Sequence, residues 1–264
     1  TLDGILPARQ YEISVSASGV SVKAYDRRAA MQAMFHLEDV MSLRRAPFLK
    51  FGKTKRRGKF ACRMTHAGWG ADMFPDGHLA TIAHAGFDTI LFYVRDIDRT
   101  KAGKTDICDL IDRAEKWGLD SYIYSSLKAL KHPDDPESDA DMARSYGAVA
   151  KKYRKAKGFV IVPESCYFES RDPRVSSKTR KTDANGKPLY NPSRFPCRDY
   201  PQWLKKVEST IRAEIPDAVV VFWTYNFFWA PEKDRFAFID AVTPSTTLNV
   251  SFALGGGATH RTRL

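Results

Sequence analysis

The sequence predicts an α/β protein: a (β/α)8 TIM-type barrel, represented by about six βα units, preceded by a small α+β domain. Three observations lead there. From Phe60 onward, short apolar runs alternate with helical runs, the rhythm of parallel βαβ units. The apolar runs, such as Phe159-Val160-Ile161-Val162, are apolar on both faces, as strands covered on both sides are. Polar and aromatic residues gather where strands should end: Arg63 and His66, Arg95 and Asp96, Tyr124 and Ser125, Glu164, then Trp223, Tyr225 and Asn226. Barrel sites collect at that face, whereas an open doubly wound sheet, the other architecture with this rhythm, concentrates ligand residues at one switch point.

The N-terminal elements come first. Residues 11–16 (YEISVS) and 20–25 (VSVKAY) alternate apolar and polar around a turn at Ser18-Gly19, which predicts two strands. Asp26 then caps a helical run in which Met31, Met34, Phe35, Leu37 and Val40 recur at roughly helical spacing, with Pro47 beyond its end. So small a β-β-α unit has little core of its own and should dock on the barrel segment C-terminal to it. The boundaries this suggests are an accessory domain over 1–55 and a barrel domain over 56–264. The basic run Lys53-Thr54-Lys55-Arg56-Arg57, lying between structured segments, reads as a solvated linker.

The barrel rhythm then runs strand 60–66, helix 78–86, strand 87–96, helix 107–118 closed by Gly118, and strand 119–127. A helix over 138–158 starts at Ser138 or Asp139 and ends at Gly158. Strand 159–165, a long loop, helix 200–215, strand 218–226, helix 233–242 and strand 246–254 complete it. Six strands are fewer than the eight of a closed barrel, so the expectation is a chain truncated at its C-terminal side. Residue 1 is Thr and no signal-peptide core comes after it, which suggests a processed or trimmed N-terminus.

Composition narrows the function classes. With 264 residues, 43% of them hydrophobic, the chain can build a sizeable core. No apolar run approaches the roughly 20 residues of a membrane span. The net charge of +11 invites a nucleic-acid reading, but the basic residues are scattered, so no nucleic-acid partner is expected and an acidic glycan remains a minor option. There is no G-x-G-x-x-G, no P-loop, no H-E-x-x-H and no G-x-S-x-G, which speaks against nucleotide cofactors, a catalytic metal and an α/β-hydrolase site. Cys62, Cys108, Cys166 and Cys197 contain no C-x-x-C pair; they read as buried thiols, with Cys166 and Cys197 able to pair across one polar loop in an exported chain.

Glu164 stands out. It comes directly after Val160-Ile161-Val162-Pro163, and a carboxylate backed by apolar residues can keep its proton and act as a general acid. A structural salt bridge or a ligand contact without proton transfer are its alternatives. Glu169 is a weaker candidate for the second carboxylate that glycosidases need about 5–9 Å away. Alternation sends Trp223 and Tyr225 to one side, where with Asn226 and Trp69 they could form a stacking and hydrogen-bonding wall for a sugar; a plain hydrophobic cluster is the other reading. Arg63 and His66, taken as ending the first barrel strand, could hold sugar hydroxyls or a carboxylate, or brace the barrel floor. Arg95, Asp96 and Asp98 read first as an internal Arg–Asp pair and second as substrate contacts.

A small domain reading YEISVSASGVSVKAYDRRAAMQAMFHLEDVM, a basic turn ending RRG, a barrel strand, and a run RAEKWGLDSYIY in which a helix ends in Gly before a strand together resemble the hexosaminidase type (family 20) of glycoside hydrolase and its α-glucuronidase-like relatives. The resemblance implies a non-catalytic β-α domain before a (β/α)8 barrel and an exported enzyme of bacterial polysaccharide degradation. That family carries an Asp-Glu pair after the fourth strand; here Pro163-Glu164 stands there, so only the general-acid role carries over, onto Glu164. Its sugar-holding first-strand Arg has Arg63 as nearest counterpart.

The expectation is therefore a glycoside hydrolase cleaving a poly- or oligosaccharide, with Glu164 as acid and Arg63, His66, Trp69, Trp223, Tyr225 and Asn226 binding substrate, and with no cofactor or metal. The alternative is a non-catalytic glycan-binding protein on a barrel scaffold. A Schiff-base aldolase is disfavoured, since no Lys stands at these strand ends.

Overall fold

The computed structural model describes residues 6–60, 62–66, 73–125, 127, 129–162, 168, 170–172, 196–223, 227, 230–242, 244 and 246–249. Two compact units divide the chain: Thr1–His66 with Met73–Ile90 and Asp109–Ser121, and Ala67–Asp72 with Leu91–Cys108 and Tyr122–Leu264.

In the first unit, β1 (Gln10–Ser16) pairs antiparallel with both β2 (Gly19–Ala24) and β3 (Gly52–Arg57), giving the order β2-β1-β3. The expected linker Lys53–Arg57 is thus a strand. Every residue of β3 is exposed, so it lacks the apolar alternation that marks a half-buried strand; the free edge of β1 orders it. Helix α1 (Arg27–Arg44) is capped by Asp26, whose side chain accepts from the Ala29 amide at 2.7 Å. Its buried positions are Ala29, Ala33 and Leu37, a stripe at spacing four that packs with Tyr11, Ile13 and Ala24 of the sheet. The methionines that stand out in the sequence lie elsewhere: Met34 is exposed, and the Met31 methyl would lie 2.6 Å from a Cβ placed on Gly118.

The same unit holds β4 (Met64–His66), α2 (Asp76–His84), the start of β5 (Thr89–Val94), most of α3 (Ile107–Lys116) and the start of β8 (Asp120–Ser125). Gly118, at φ +66, turns the chain left-handed after α3, as the sequence reading expects of a C-terminal glycine.

The second unit carries a hairpin absent from the sequence reading, β6 (Arg99–Thr100) against β7 (Gly103–Lys104). Its helices are α4 (Ser138–Met142), a π-turn (Ala143–Gly147) and α5 (Ala148–Lys152), then α6 (Tyr200–Glu214) and α7 (Glu232–Ala241). Its strands β9 (Gly158–Ile161), β10 (Val219–Trp223) and β11 (Thr246–Asn249) join β8 in parallel pairs.

The main sheet has six strands in the order β4-β5-β8-β9-β10-β11. Chain order and spatial order coincide, with no reversal of the kind that defines a doubly wound switch point. The fold is mixed α/β with a six-stranded parallel sheet, compatible with a TIM-like arrangement. Phe159, Val160, Val220 and Phe222 are fully buried, so the central strands are covered on both faces. None of the described helices is long and apolar enough to cross a membrane.

Candidate active site

Strand alternation sorts the side chains of the second unit. On β10, Phe222 meets Tyr200 of α6 at 5.5 Å and Phe238 of α7 at 5.7 Å between ring centroids, so its face is the helix-covered one. Val221 and Trp223 therefore point the other way. Val160 stands opposite both Val221 and Tyr124, which puts Tyr124 on the face of Trp223. The ring distances agree: Tyr124 lies 6.0 Å from Trp223 and 5.3 Å from Tyr93. Tyr93 and Tyr124 occupy the next-to-last positions of β5 and β8, and Trp223 is the last residue of β10. A row of three partly exposed aromatic rings thus crosses the C-terminal ends of parallel strands, away from the helices. The rings offer flat apolar surface with hydroxyls at its margin, suited to a molecule with one apolar and one polar aspect. The sequence places Trp223 in such a wall. It does not disclose Tyr93, whose part depends on pairing between strands that a single sequence does not display.

Arg63 occupies a different place from the one expected. It precedes β4 rather than ending it, because the strand is only Met64–His66. Its amide donates to Asp88 Oδ1 at 2.7 Å and its Nε to Asp88 Oδ2 at 3.2 Å, while its carbonyl accepts from the Asp88 and Thr89 amides. Asp88 is buried, and its carbonyl accepts from the Asp120 amide. Arg63 and Asp88 thereby fasten the N-terminal ends of the strands, the end opposite a barrel site. His66 is the last residue of β4 and lies at the C-terminal end; desolvation pushes its pKa below the usual histidine value. Glu164, Glu169, Trp69, Tyr225 and Asn226 lie outside the described residues, as does Cys166 of the proposed Cys166–Cys197 pair.

The expected Arg95–Asp pair is replaced by another arrangement. Asp98, left-handed at φ 52, forms a hub: its amide donates to the Tyr153 hydroxyl at 2.6 Å, and that hydroxyl donates to Asp98 Oδ1 at 3.0 Å. The Ile107 amide reaches Oδ1 at 3.3 Å and Lys152 Nζ reaches Oδ2 at 3.7 Å. Burial, with the neighbouring Asp98 charge adding to it, pushes the Tyr153 phenol well above its ordinary pKa.

A second polar node joins the segment after β8 to the start of α6. The buried Asp199 accepts from the Ser170 hydroxyl and faces His132 Nε2 at 3.5 Å. His132 Nδ1 accepts from the Asp134 amide, which leaves the imidazole proton on Nε2. The carboxylate lies between serine and histidine, so no imidazole is placed to take the serine proton, and the node is a brace rather than a nucleophile. Arg171 adds contacts to Asp134 at 3.0 Å and Asp135 at 2.7 Å. Among the described residues no cluster of three His, Cys, Asp or Glu side chains could hold a metal ion.

No family model and no curated protein matches the sequence. Solved structures do match in fold. A glycoside hydrolase family 20 β-N-acetylglucosaminidase aligns at TM-score 0.59 and 10% identity, over 94% of this chain and 64% of its own. CpGH84B aligns at 0.55 and 10%, over 94% and 43%. A β-N-acetylhexosaminidase from Bacteroides fragilis aligns at 0.52 and 9%, over 93% and 56%. The chain resembles hexosaminidase-type glycoside hydrolases in fold. It spans between 43% and 64% of the length of these three proteins, and identities this low establish the likeness of the fold alone.

Proposed function

We propose that the protein is a glycoside hydrolase of the barrel type, acting on a poly- or oligosaccharide at the C-terminal ends of its parallel strands. The observation that carries the reading is the row Tyr93–Tyr124–Trp223 on the face turned away from the helices. The row supplies the flat apolar wall on which a pyranose ring stacks, and the fold is one that glycoside hydrolases use. Glu164, three residues beyond the end of β9 in sequence, is proposed as the general acid that protonates the glycosidic oxygen. Tyr225, Asn226 and Trp69 are proposed to extend the wall and bond sugar hydroxyls. Arg63 is left to its pairing with Asp88.

Glu164→Gln tests the reading. On a glycoside with a poor leaving group, loss of the acid should lower kcat about 10²–10⁴-fold, with a smaller loss on an aryl glycoside whose leaving group needs no proton. Undiminished hydrolysis of the first substrate removes Glu164 from the mechanism.

A further inference from the structure

We propose that the Arg95–Lys104 hairpin binds the anionic substituents of an acidic glycan, so that the substrate of the site carries oxyanions, carboxylate or sulfate, on its sugars. The inference rests on the glycan reading above. The hairpin leaves the C-terminal end of β5 two residues after Tyr93, the first ring of the aromatic row. It carries Arg95, Arg99, Lys101 and Lys104, all exposed. Its own carboxylates are turned to other work: Asp96 accepts from the Ile97 amide at 2.8 Å, and Asp98 is held by Tyr153, Ile107 and Lys152.

Arg95, Arg99 and Lys104 have no ion-pair partner among the described residues. Several arginines elsewhere in this unit do, Arg144 with Asp141, Arg154 with Glu214, Arg171 with Asp134 and Asp135, and Arg212 with Glu208, whereas Arg235 does not. The hairpin cations are also mounted firmly. Arg99 pairs with Lys104 across the two strands, the Arg95 amide donates to the Arg99 carbonyl at 2.8 Å, and the Asp98 hub ties the base to Tyr153 and Ile107. Guanidinium groups without an ion-pair partner among the described residues, on a hydrogen-bonded hairpin that follows Tyr93 directly in the chain, suit planar or tetrahedral oxyanions, which they can bond through two N–H groups at once. A neutral glycan would leave these cations unused. The short span favours a decorated sugar chain over a nucleic-acid backbone, whose capture needs a longer phosphate-tracking groove.

The test is equilibrium binding to the full chain of two oligosaccharide pairs matched in length: a sulfated oligomer with its desulfated form, and a uronate oligomer with its carboxyl-reduced form. Single-stranded DNA of similar length is the third probe. One acidic oligomer at least should bind about tenfold or more tightly than its neutral counterpart, and the pair that shows it identifies the substituent. The triple variant Arg95→Gln/Arg99→Gln/Lys104→Gln should bring that ratio to about one. Lys53→Gln/Lys55→Gln/Arg57→Gln removes the same charge from β3 and should keep it. A wild-type ratio near one in both pairs, equal losses in the two triple variants, or DNA held as tightly as the acidic oligomer overturns the proposal. Binding is read without turnover. A chain that discriminates through its hairpin yet hydrolyses no glycan retains this inference and loses the catalytic one, whereas hydrolysis of glycans by a chain with a ratio near one does the reverse.

Discussion

The rings of Tyr124 and Trp223 stand 6.0 Å apart although their residues belong to β8 and β10, with β9 between them. Only small Val160 occupies the same face of β9 at the level of Tyr124, so the rings reach across it. Removing the indole should therefore open a gap in the wall without disturbing the strands. Trp223→Ala is expected to weaken oligosaccharide binding about tenfold while moving Tm little, since the ring is only partly buried. Unchanged affinity in a titration would take the row out of the site.

Gly158 opens β9 where the backbone of β10 and the Tyr122 ring crowd it. A Cβ there would meet Val219 O at 2.2 Å and Tyr122 Cε1 at 2.5 Å. Gly158→Ala should cost about 2–3 kcal/mol, read as a lower urea midpoint with unchanged slope. Gly147→Ala, whose Cβ would meet nothing closer than the Thr210 methyl at 3.2 Å, should cost clearly less.

Asp88 bonds the Arg63 amide and guanidinium and the Thr89 hydroxyl from a buried position. Asp88→Ala strands those donors and should destabilise the chain by about 3 kcal/mol. Asp88→Asn keeps one acceptor and should fall between the two. Equal stability of all three in urea titration would show that the pairing is incidental.

The Tyr153 phenol should ionise well above the ordinary tyrosine value, because burial and the adjacent Asp98 carboxylate oppose a phenolate. Tyr153→Phe should delete one step from the high-pH end of the alkaline absorbance titration. It should also speed hydrogen exchange at the Asp98 amide, which loses its acceptor. An early-ionising Tyr153 contradicts the hub.

Desolvation lowers the pKa of His36 and of His66 below 6.5, with the Arg56 charge adding to the effect at His36. The native chain then binds fewer protons at these two sites than the unfolded chain does. Stability contributed by the neutral imidazoles is present above about pH 6.5 and is lost as pH falls through the lowered folded values. His36→Gln and His66→Gln should each flatten the acid limb of a Tm-against-pH curve, and a proton resonance titration should give both histidines midpoints below 6.5. Midpoints at or above the ordinary histidine value would reverse the sign.

Burial decides which elements are legible in the sequence. The central strands are, because Phe159-Val160-Ile161 and Val220-Val221-Phe222 are apolar on both faces, and both faces are covered. Asp26 and Gly118 are legible as helix ends because capping is local chemistry. β3 is not, because a fully exposed edge strand carries no apolar period. The inward stripe of α1 escapes for a related reason. Hydrophobicity draws the eye to methionine, yet alanines let this helix approach its sheet closely, and they are the buried ones. Arg63 falls at the opposite strand end from the one expected because β4 is three residues long, too short for periodicity to register its start. In the aromatic row, Trp223 is visible from its strand alone, whereas its contact with Tyr124, and through it with Tyr93, is a product of register.

The first unit gathers three separate stretches of chain. Within it, Arg28 of α1 reaches Asp120 at 2.8 Å, Gln32 reaches the Ala83 carbonyl at 2.9 Å, and Met31 lies over Gly118. A piece whose partners arrive so much later in the chain is poorly suited to travel between genes as a cassette. A recombination event just after β3 would carry off α1 and strip the cover from Asp120, Ala83 and Gly118, so the N-terminal sheet and its helix are expected to be inherited together with β4, β5 and β8.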